Sequence, residues 1–204
     1  MTNCPTPGRI EVIAGPMFSG KSEELIRRLK RARIARQRVA CFKPDIDLRY
    51  HRTAIASHSS HTHDAAIVTP TSDSLKAELF ESGRIHEVDV IGLDEVQFFD
   101  AGITHLAMEF VYFGKRVILV GLDTTFANEP FGPVPSLMAL ADEVMKLSAV
   151  CMTCGAPAIH TQRLGQSQEL VVVGAAGLYE ARCRTHFEPF TDEHRSEQLD
   201  LLTA

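Results

Sequence analysis

The chain has 204 residues and a formal net charge of -5, with 45% hydrophobic and 23% charged residues. That composition is globular and excludes disorder over most of the length; the length suits one domain of roughly 100–200 residues plus a small appendage. The acidic balance argues against a general polyanion binder, and no apolar run reaches the ~18–20 residues of a membrane span.

In chain order, residues 9–14 form an apolar strand candidate, followed by a Gly-rich turn and a helical stretch over residues 21–37. Residues 39–43 read as a second strand. Residues 45–64 are polar, His-rich and aperiodic, a loop with a short strand at 54–57. Strand 66–69, helix 72–82, strand 88–93, helix 101–113 and strand 116–122 complete the first part. Alternating β and α elements with near-continuous apolar strands indicate a parallel sheet covered by helices on both faces. Residues 123–135, rich in Phe, Pro and Gly, read as an ordered loop. A short helix at 136–142 and a strand at 144–150 follow. The texture then changes to Gly, Ala, Cys and His, which puts a boundary near Val150. The polar tail, 191–204, is expected to be loosely held.

Gly15, Pro16, Met17, Phe18, Ser19, Gly20, Lys21 and Ser22 fit G-x-x-x-x-G-K-[ST] between a strand and a helix. The two glycines let backbone N–H groups turn inward toward phosphate oxygens, and the following helix adds its N-terminal dipole. Lys21 reaches the β- and γ-phosphates, and Ser22 offers a hydroxyl to Mg²⁺. The basic residues of the next helix (Arg27, Arg28, Lys30, Arg31, Arg33, Arg36 and Arg38) read as a solvated face. Asp94 and Glu95 end the apolar strand 88–93, the arrangement in which one acid meets the magnesium shell and the next is free to act as a base.

The chain has five cysteines, an odd number. The opening residues lack the apolar stretch of a secretory leader, so a reducing cytoplasm is expected, where paired cysteines suggest metal chemistry. Cys151-x-x-Cys154 and Cys183-x-x-His186 offer four ligands for a closed, structural zinc site. The 28 residues between Cys154 and Cys183 exceed the usual ~15–20 of a ribbon spacer and suggest an inserted loop pinned by the metal. Cys4 and Cys41 read as a tail and a core residue. His51, His58, His61 and His63 read as polar loop residues.

Taken together, these segments resemble the cytosolic/bacterial, zinc-containing (type II) thymidine kinase family. The resemblance is carried by the phosphate loop, Asp47-Leu48-Arg49-Tyr50, Leu93-Asp94-Glu95-Val96-Gln97-Phe98-Phe99, Gly121-Leu122-Asp123, Phe126 with Pro130-Phe131-Gly132, and Cys151-Met152-Thr153-Cys154. It continues through Thr161-Gln162-Arg163-Leu164, Val171-Val172-Val173-Gly174, Tyr179 and Cys183-Arg184-x-His186, from about residue 8 to 186. It implies a RecA-like P-loop α/β domain over residues 1–149, a small zinc-ribbon-like domain with a lasso loop over 150–190, and a tail from 191. It implies ATP- and Mg²⁺-dependent phosphorylation of the thymidine 5′-hydroxyl, with Glu95 as base, Arg49 steadying phosphates and Ser22 and Asp94 on magnesium. Met17, Phe98, Leu122, Phe126, Phe131, Thr161, Val172 and Tyr179 match thymidine-contacting positions, and the base is held largely by lasso main chain. A homotetramer and feedback inhibition by dTTP are further implications; nucleic-acid and membrane partners are not expected.

The chain departs from the family pattern at Ser57-His58-Ser59-Ser60, at Ala127-Asn128, where Arg-Gly is common, and at Gly174-Ala175, where Gly-Gly is usual. Two other readings compete. One is a different P-loop nucleoside or nucleotide kinase with a zinc-bearing lid; a monophosphate acceptor calls for several arginines, and residues 155–182 offer only Arg163 and Arg182. The other is a zinc-knuckle nucleic-acid-binding NTPase, whose binding is strongly salt-dependent.

Overall fold

The computed structural model describes residues 7–45, 54–56, 62–64, 66–164 and 177–189. The strands are β1 (Arg9–Ala14), β2 (Val39–Pro44), β3 (Ala54–Ala56), β4 (Thr62–Asp64), β5 (Ala66–Val68), β6 (Val90–Leu93), β7 (Arg116–Gly121), β8 (Glu143–Lys146), β9 (Ala149–Val150), β10 (Pro157–Ala158), β11 (His160–Arg163) and β12 (Tyr179–Arg182). The helices are α1 (Lys21–Ile34), α2 (Ser72–Lys76), α3 (Ile103–Tyr112) and α4 (Val134–Leu140).

Six strands form one sheet in the order β5-β2-β6-β7-β1-β8, and every pairing in it is parallel. The strands read as apolar runs because both faces are covered. On one face, α1 packs Leu25, Ile26, Leu29 and Ala32 against Ile13, Val90, Ile118 and Val120. On the other, Leu75, Leu79, Leu106, Phe110 and Leu137 meet Ile10, Val12, Ile91, Leu93 and Leu119. Burying each such side chain contributes about 1.5–3 kcal/mol, so the doubly covered sheet is the main stabilising unit. Gly92 permits the close approach of α1: a Cβ there would sit 3.1 Å from Leu29 Cδ2.

Helix α1 carries Glu23 and Glu24 in its first turn and Arg31 and Arg33 in its last, both favourable to the helix dipole. It stops at Ile34, short of the expected residue 37. Arg36 turns left-handed at φ 59°, and the Gln37 N–H closes on the Ala32 carbonyl. The helix expected over 72–82 is α2 followed by a π turn, Ala77–Glu81, in which Phe80 meets Phe110 and Phe113 at 5.8 and 5.0 Å between ring centres. The single strand expected over 144–150 is two. β8 joins the large sheet beside β1, while β9 leaves it to pair antiparallel with β10.

β9–β10 and the antiparallel pair β11–β12 build a small lobe around Ala149, Cys151, Ala158, Ala181 and Cys183. Cys41 is buried in the α1 face of the sheet, as a core residue should be. Among the described residues, no helix is long and apolar enough to cross a membrane.

Candidate functional site

Strands β1, β6 and β7 all end at one sheet edge, with β7 between the other two. After β1 the chain enters residues 15–22. Gly15 has φ 149°, and a Cβ there would meet the Leu147 carbonyl oxygen at 2.5 Å; Gly20 has φ 82° at the start of α1. Both positions therefore demand glycine. Phe18 is left-handed at φ 65°. Ser19 Oγ donates to the Pro16 carbonyl at 2.8 Å, and Lys21 Nζ to the same oxygen at 2.6 Å. Burial pulls the Lys21 ammonium below its usual pKa, against the attraction of Glu95, Asp94 and Asp123.

At the end of β6, Asp94 is buried. Burial and then the neighbouring Glu95 charge push its carboxyl up to about 7, against hydrogen bonds from the Ser22 hydroxyl and the Glu95 N–H. The nearby Lys21 ammonium offsets this only in part, and a divalent cation between Ser22 and Asp94 would add positive charge. Glu95 itself is left-handed, at φ 54° and ψ 41°, a strained setting of about 1–3 kcal/mol for a residue with a side chain. The kink turns the chain out of β6 into the 3₁₀ turn Val96–Phe98.

The end of β7 leads to Leu122 and Asp123. Asp123 is 5% exposed, with Lys146 Nζ 2.8 Å from its Oδ2; the contact is an ion pair off the hydrogen-bond direction. Residues 123–131 close a small hairpin through Phe131 N–H to the Asp123 carbonyl and Thr125 N–H to the Glu129 carbonyl.

The small lobe reaches this edge through β11. Thr161 Oγ1 accepts the Met17 N–H at 3.0 Å, joining the lobe to the phosphate loop. His160 Nδ1 donates to Asn128 Oδ1 at 2.9 Å, and its ring stacks on Phe187 at 4.4 Å. Burial, Arg184 and Lys146 hold the imidazole below its usual pKa, although Asp123 works the other way. The Arg163 guanidinium lies 3.9 Å from the Phe126 ring centre and donates to the Tyr179 hydroxyl. Phe98 meets Phe131 edge-on at 5.6 Å.

Thus Met17 meets Thr161, Phe98 meets Phe131, and Phe126 and Tyr179 each meet Arg163. Leu122 donates its N–H to Gln97. Arg49 and Val172 lie outside the described residues, as do Cys4, His51, His58, His61, residues 57–60 and the Gly174-Ala175 departure. Reasoning from the sequence assigned nothing to Gln97, Lys146, His160 or Asn128. The signals for Gln97 were its place in the Leu93–Phe99 segment that carries the family resemblance and its position two residues past an acid at a strand end.

Cys151, Cys154, Cys183 and His186 present ligand atoms all within 4.8 Å of one another. Cys154 and Cys183 sulfurs are 3.8 Å apart, and His186 Nδ1 is 3.2 Å from Cys183 and 3.9 Å from Cys151. With Zn–S near 2.3 Å, a tetrahedron has S···S edges of about 3.8 Å, so the four residues fit zinc. Burial works to raise the Cys151 thiol, but main-chain hydrogen bonds at Cys183, Thr153 and Cys154 outweigh it and bring it down to about 6. Those bonds favour the thiolate that a metal needs.

Residues 8–187 match the family model described as thymidine kinase. The chain is 51% identical over 190 residues to the thymidine kinase of Deinococcus deserti, covering 88% of this chain and 94% of that one. It is 51% identical over 185 residues to that of Deinococcus radiodurans, covering 85% and 87%. With that of Bacteroides fragilis strain YCH46 it shares 46% over 190 residues, covering 93% and 92%.

Proposed function

The chain belongs to the thymidine kinase family, and from that premise we propose how its residues carry phosphate from ATP to thymidine. The activity is that of an ATP-dependent thymidine kinase, which moves the γ-phosphoryl group to the 5′-hydroxyl and gives dTMP. The observation that carries the residue assignment is the meeting of Lys21, Ser22, Asp94 and Glu95 at one sheet edge.

Residues 15–22 cradle the ATP phosphates with main-chain N–H groups, and Lys21 neutralises charge on the β- and γ-phosphates. Ser22 and Asp94 hold Mg²⁺, which when bound offsets charge on the phosphate oxygens. Glu95 takes the proton from the 5′-oxygen as that oxygen attacks the γ-phosphorus, the bond from the γ-phosphorus to the β,γ-bridging oxygen breaks and ADP leaves; the strained turn sets the Glu95 main chain at the mouth of the site. Arg49 steadies the phosphates. Phe98, Leu122, Phe126, Phe131 and Tyr179, with Met17, Thr161 and Val172, wall a flat methylated base, and the lasso that the family resemblance implies would exclude water from the transfer.

The four-ligand cluster holds a structural zinc: with four protein ligands it has no open position. Residues 1–149 form the P-loop domain, 150–190 the zinc-binding lasso domain and 191–204 the tail. The enzyme works in the cytoplasm as a homotetramer, and dTTP inhibits it by entering the acceptor site with its phosphates toward the donor side. The family resemblance supports these last points.

The test of the catalytic assignment is Glu95→Gln. It keeps size and hydrogen-bonding reach but cannot take a proton. We expect kcat to fall by about 10²–10⁴-fold while ATP binding is retained. A kcat within threefold of the parent removes Glu95 from the base role.

A further inference from the structure

Gln97 stands two residues beyond Glu95, on the turn Val96–Phe98, and is 3% exposed. Both ends of its amide are engaged. Nε2 donates to Glu95 Oε2 at 2.5 Å, and Oε1 accepts the Leu122 N–H at 3.1 Å. The partners fix which end is which, because a peptide N–H can only donate and an ionised carboxylate can only accept. A single buried side chain therefore joins the end of β6 to the end of β7.

The surroundings are built to hold it. A Cβ on Gly121 would meet Gln97 Oε1 at 2.8 Å, and one on Gly132 would meet the Gln97 carbonyl oxygen at 2.4 Å. Glycine at both positions lets the segment 121–132 close over Gln97 from two sides. That segment contains Leu122, Phe126 and Phe131. Phe98, the residue after Gln97, packs edge-on against Phe131.

We propose that Gln97 is a positioning residue for phosphoryl transfer: it aims the Glu95 carboxylate and ties that aim to the backbone of the segment that walls the nucleoside. This rests on the reading of Glu95 as the base. A glutamate has three side-chain torsions, and nothing in a left-handed turn fixes them. With the amide in place, base and acceptor seat move as one body, so a nucleoside seated against residues 122–131 has its 5′-oxygen in register with the carboxylate. A misplacement of about 1 Å at such a contact can cost about 10²-fold in rate.

Two substitutions separate aiming from mere bolting of the segment. Gln97→Met removes both hydrogen bonds at similar volume. Gln97→Glu keeps an acceptor for the Leu122 N–H but sets an acid against Glu95 in place of a donor. A purely structural bolt survives Gln97→Glu; an aiming residue does not.

The experiment is a double-mutant cycle on the full chain with ATP and Mg²⁺, read by single-turnover phosphorylation and by thymidine KM. It includes Gln97→Met, Gln97→Glu, Glu95→Gln and each Gln97 change combined with Glu95→Gln. We expect both single Gln97 variants to lose about 10–100-fold in kcat with KM within about threefold. In the Glu95→Gln background either change should cost less than about threefold more, because the group being aimed is already disabled. Full additivity, a KM rise without a kcat loss, or Gln97→Glu behaving as the parent overturns the inference while leaving Glu95 as base. Near-parental kcat in Glu95→Gln alone overturns the base reading, and the inference with it. If Gln97→Met folds poorly, Gln97→Glu carries the same test.

Discussion

A single charged residue inside an apolar strand, Glu11 of β1, shows what the sequence hides at the residue scale. It is 1% exposed and takes hydrogen bonds from Arg28 Nη1 at 2.5 Å, Arg116 Nε at 2.6 Å and Arg9 Nε at 2.8 Å. Arg28 also reaches Glu24 and Glu143, so α1, β1, β7 and β8 meet in one charge cluster. Burial works to raise the Glu11 carboxyl, but hydrogen bonds from Arg116 and Arg28 outweigh it and bring the pKa down from 4.5 to about 2. A depressed carboxyl contributes stability that is fully present above pH 4.5 and is lost as pH falls toward 2. Glu11→Gln should therefore flatten the pH dependence of unfolding in that window. It should also destabilise the fold at pH 7 by about 3 kcal/mol, because it leaves the buried Arg28 guanidinium short of a charge partner. Denaturant titrations at several pH values check this; an unchanged pH dependence contradicts it. Asp94 and Glu95 were legible as acids closing an apolar strand. Gln97, Asn128 and His160 were not, because their partners lie far along the chain: Gln97 bonds a residue 25 positions away, and Asn128 one 32 positions away. Asn128 stands where the family commonly has Gly. It accepts φ 63°, which Asn tolerates, and its side chain gains a contact with His160 that glycine lacks.

Elements were legible where local pattern and tertiary need agree. β1, β2, β6 and β7 are apolar runs because two layers of helices cover them, and α1 declares itself by its buried spacing. Residues 144–150 misled because β-branched and apolar residues run on while the chain changes sheets between Lys146 and Ala149. β11 and β12 were invisible: each has only four residues and, among the described residues, only the other for a strand partner. The lobe they form has a small core of mostly alanine and cysteine, so in the proposal a metal held by Cys151, Cys154, Cys183 and His186 would carry much of its stability. Chelation or Cys154→Ala should release about one zinc per chain and unfold this lobe before the large sheet. Because Thr161 caps the Met17 N–H, the same treatment should weaken phosphate-loop binding of ATP. Metal analysis with thermal unfolding reads the first effect and nucleotide titration the second. A metal-free chain with one unchanged transition contradicts the structural role.

At the scale of the whole molecule, the order β6-β7-β1 decides the function. It brings the phosphate loop, the acid pair and the segment after β7 to one edge, and the small lobe docks there through β11. The net charge of -5 is no obstacle to binding an anionic nucleotide, because the positive chemistry is concentrated at Lys21, at main-chain N–H groups and, in the proposal, at Arg49 and magnesium. The aromatic rings of Phe98, Phe126 and Phe131, the proposed walls of the acceptor site, suit an uncharged base, and the described part of the small lobe offers few arginines for a second phosphate. The most direct measurement is transfer of labelled γ-phosphate from ATP, with Mg²⁺, to a panel of thymidine, deoxycytidine, deoxyadenosine, deoxyguanosine and dTMP. Thymidine should be phosphorylated at its 5′-oxygen at least about 100-fold more efficiently than the others, as expected of a site whose buried polar groups are left unpaired by the wrong base. Comparable turnover across the nucleosides, or a preference for dTMP as acceptor, would contradict the account.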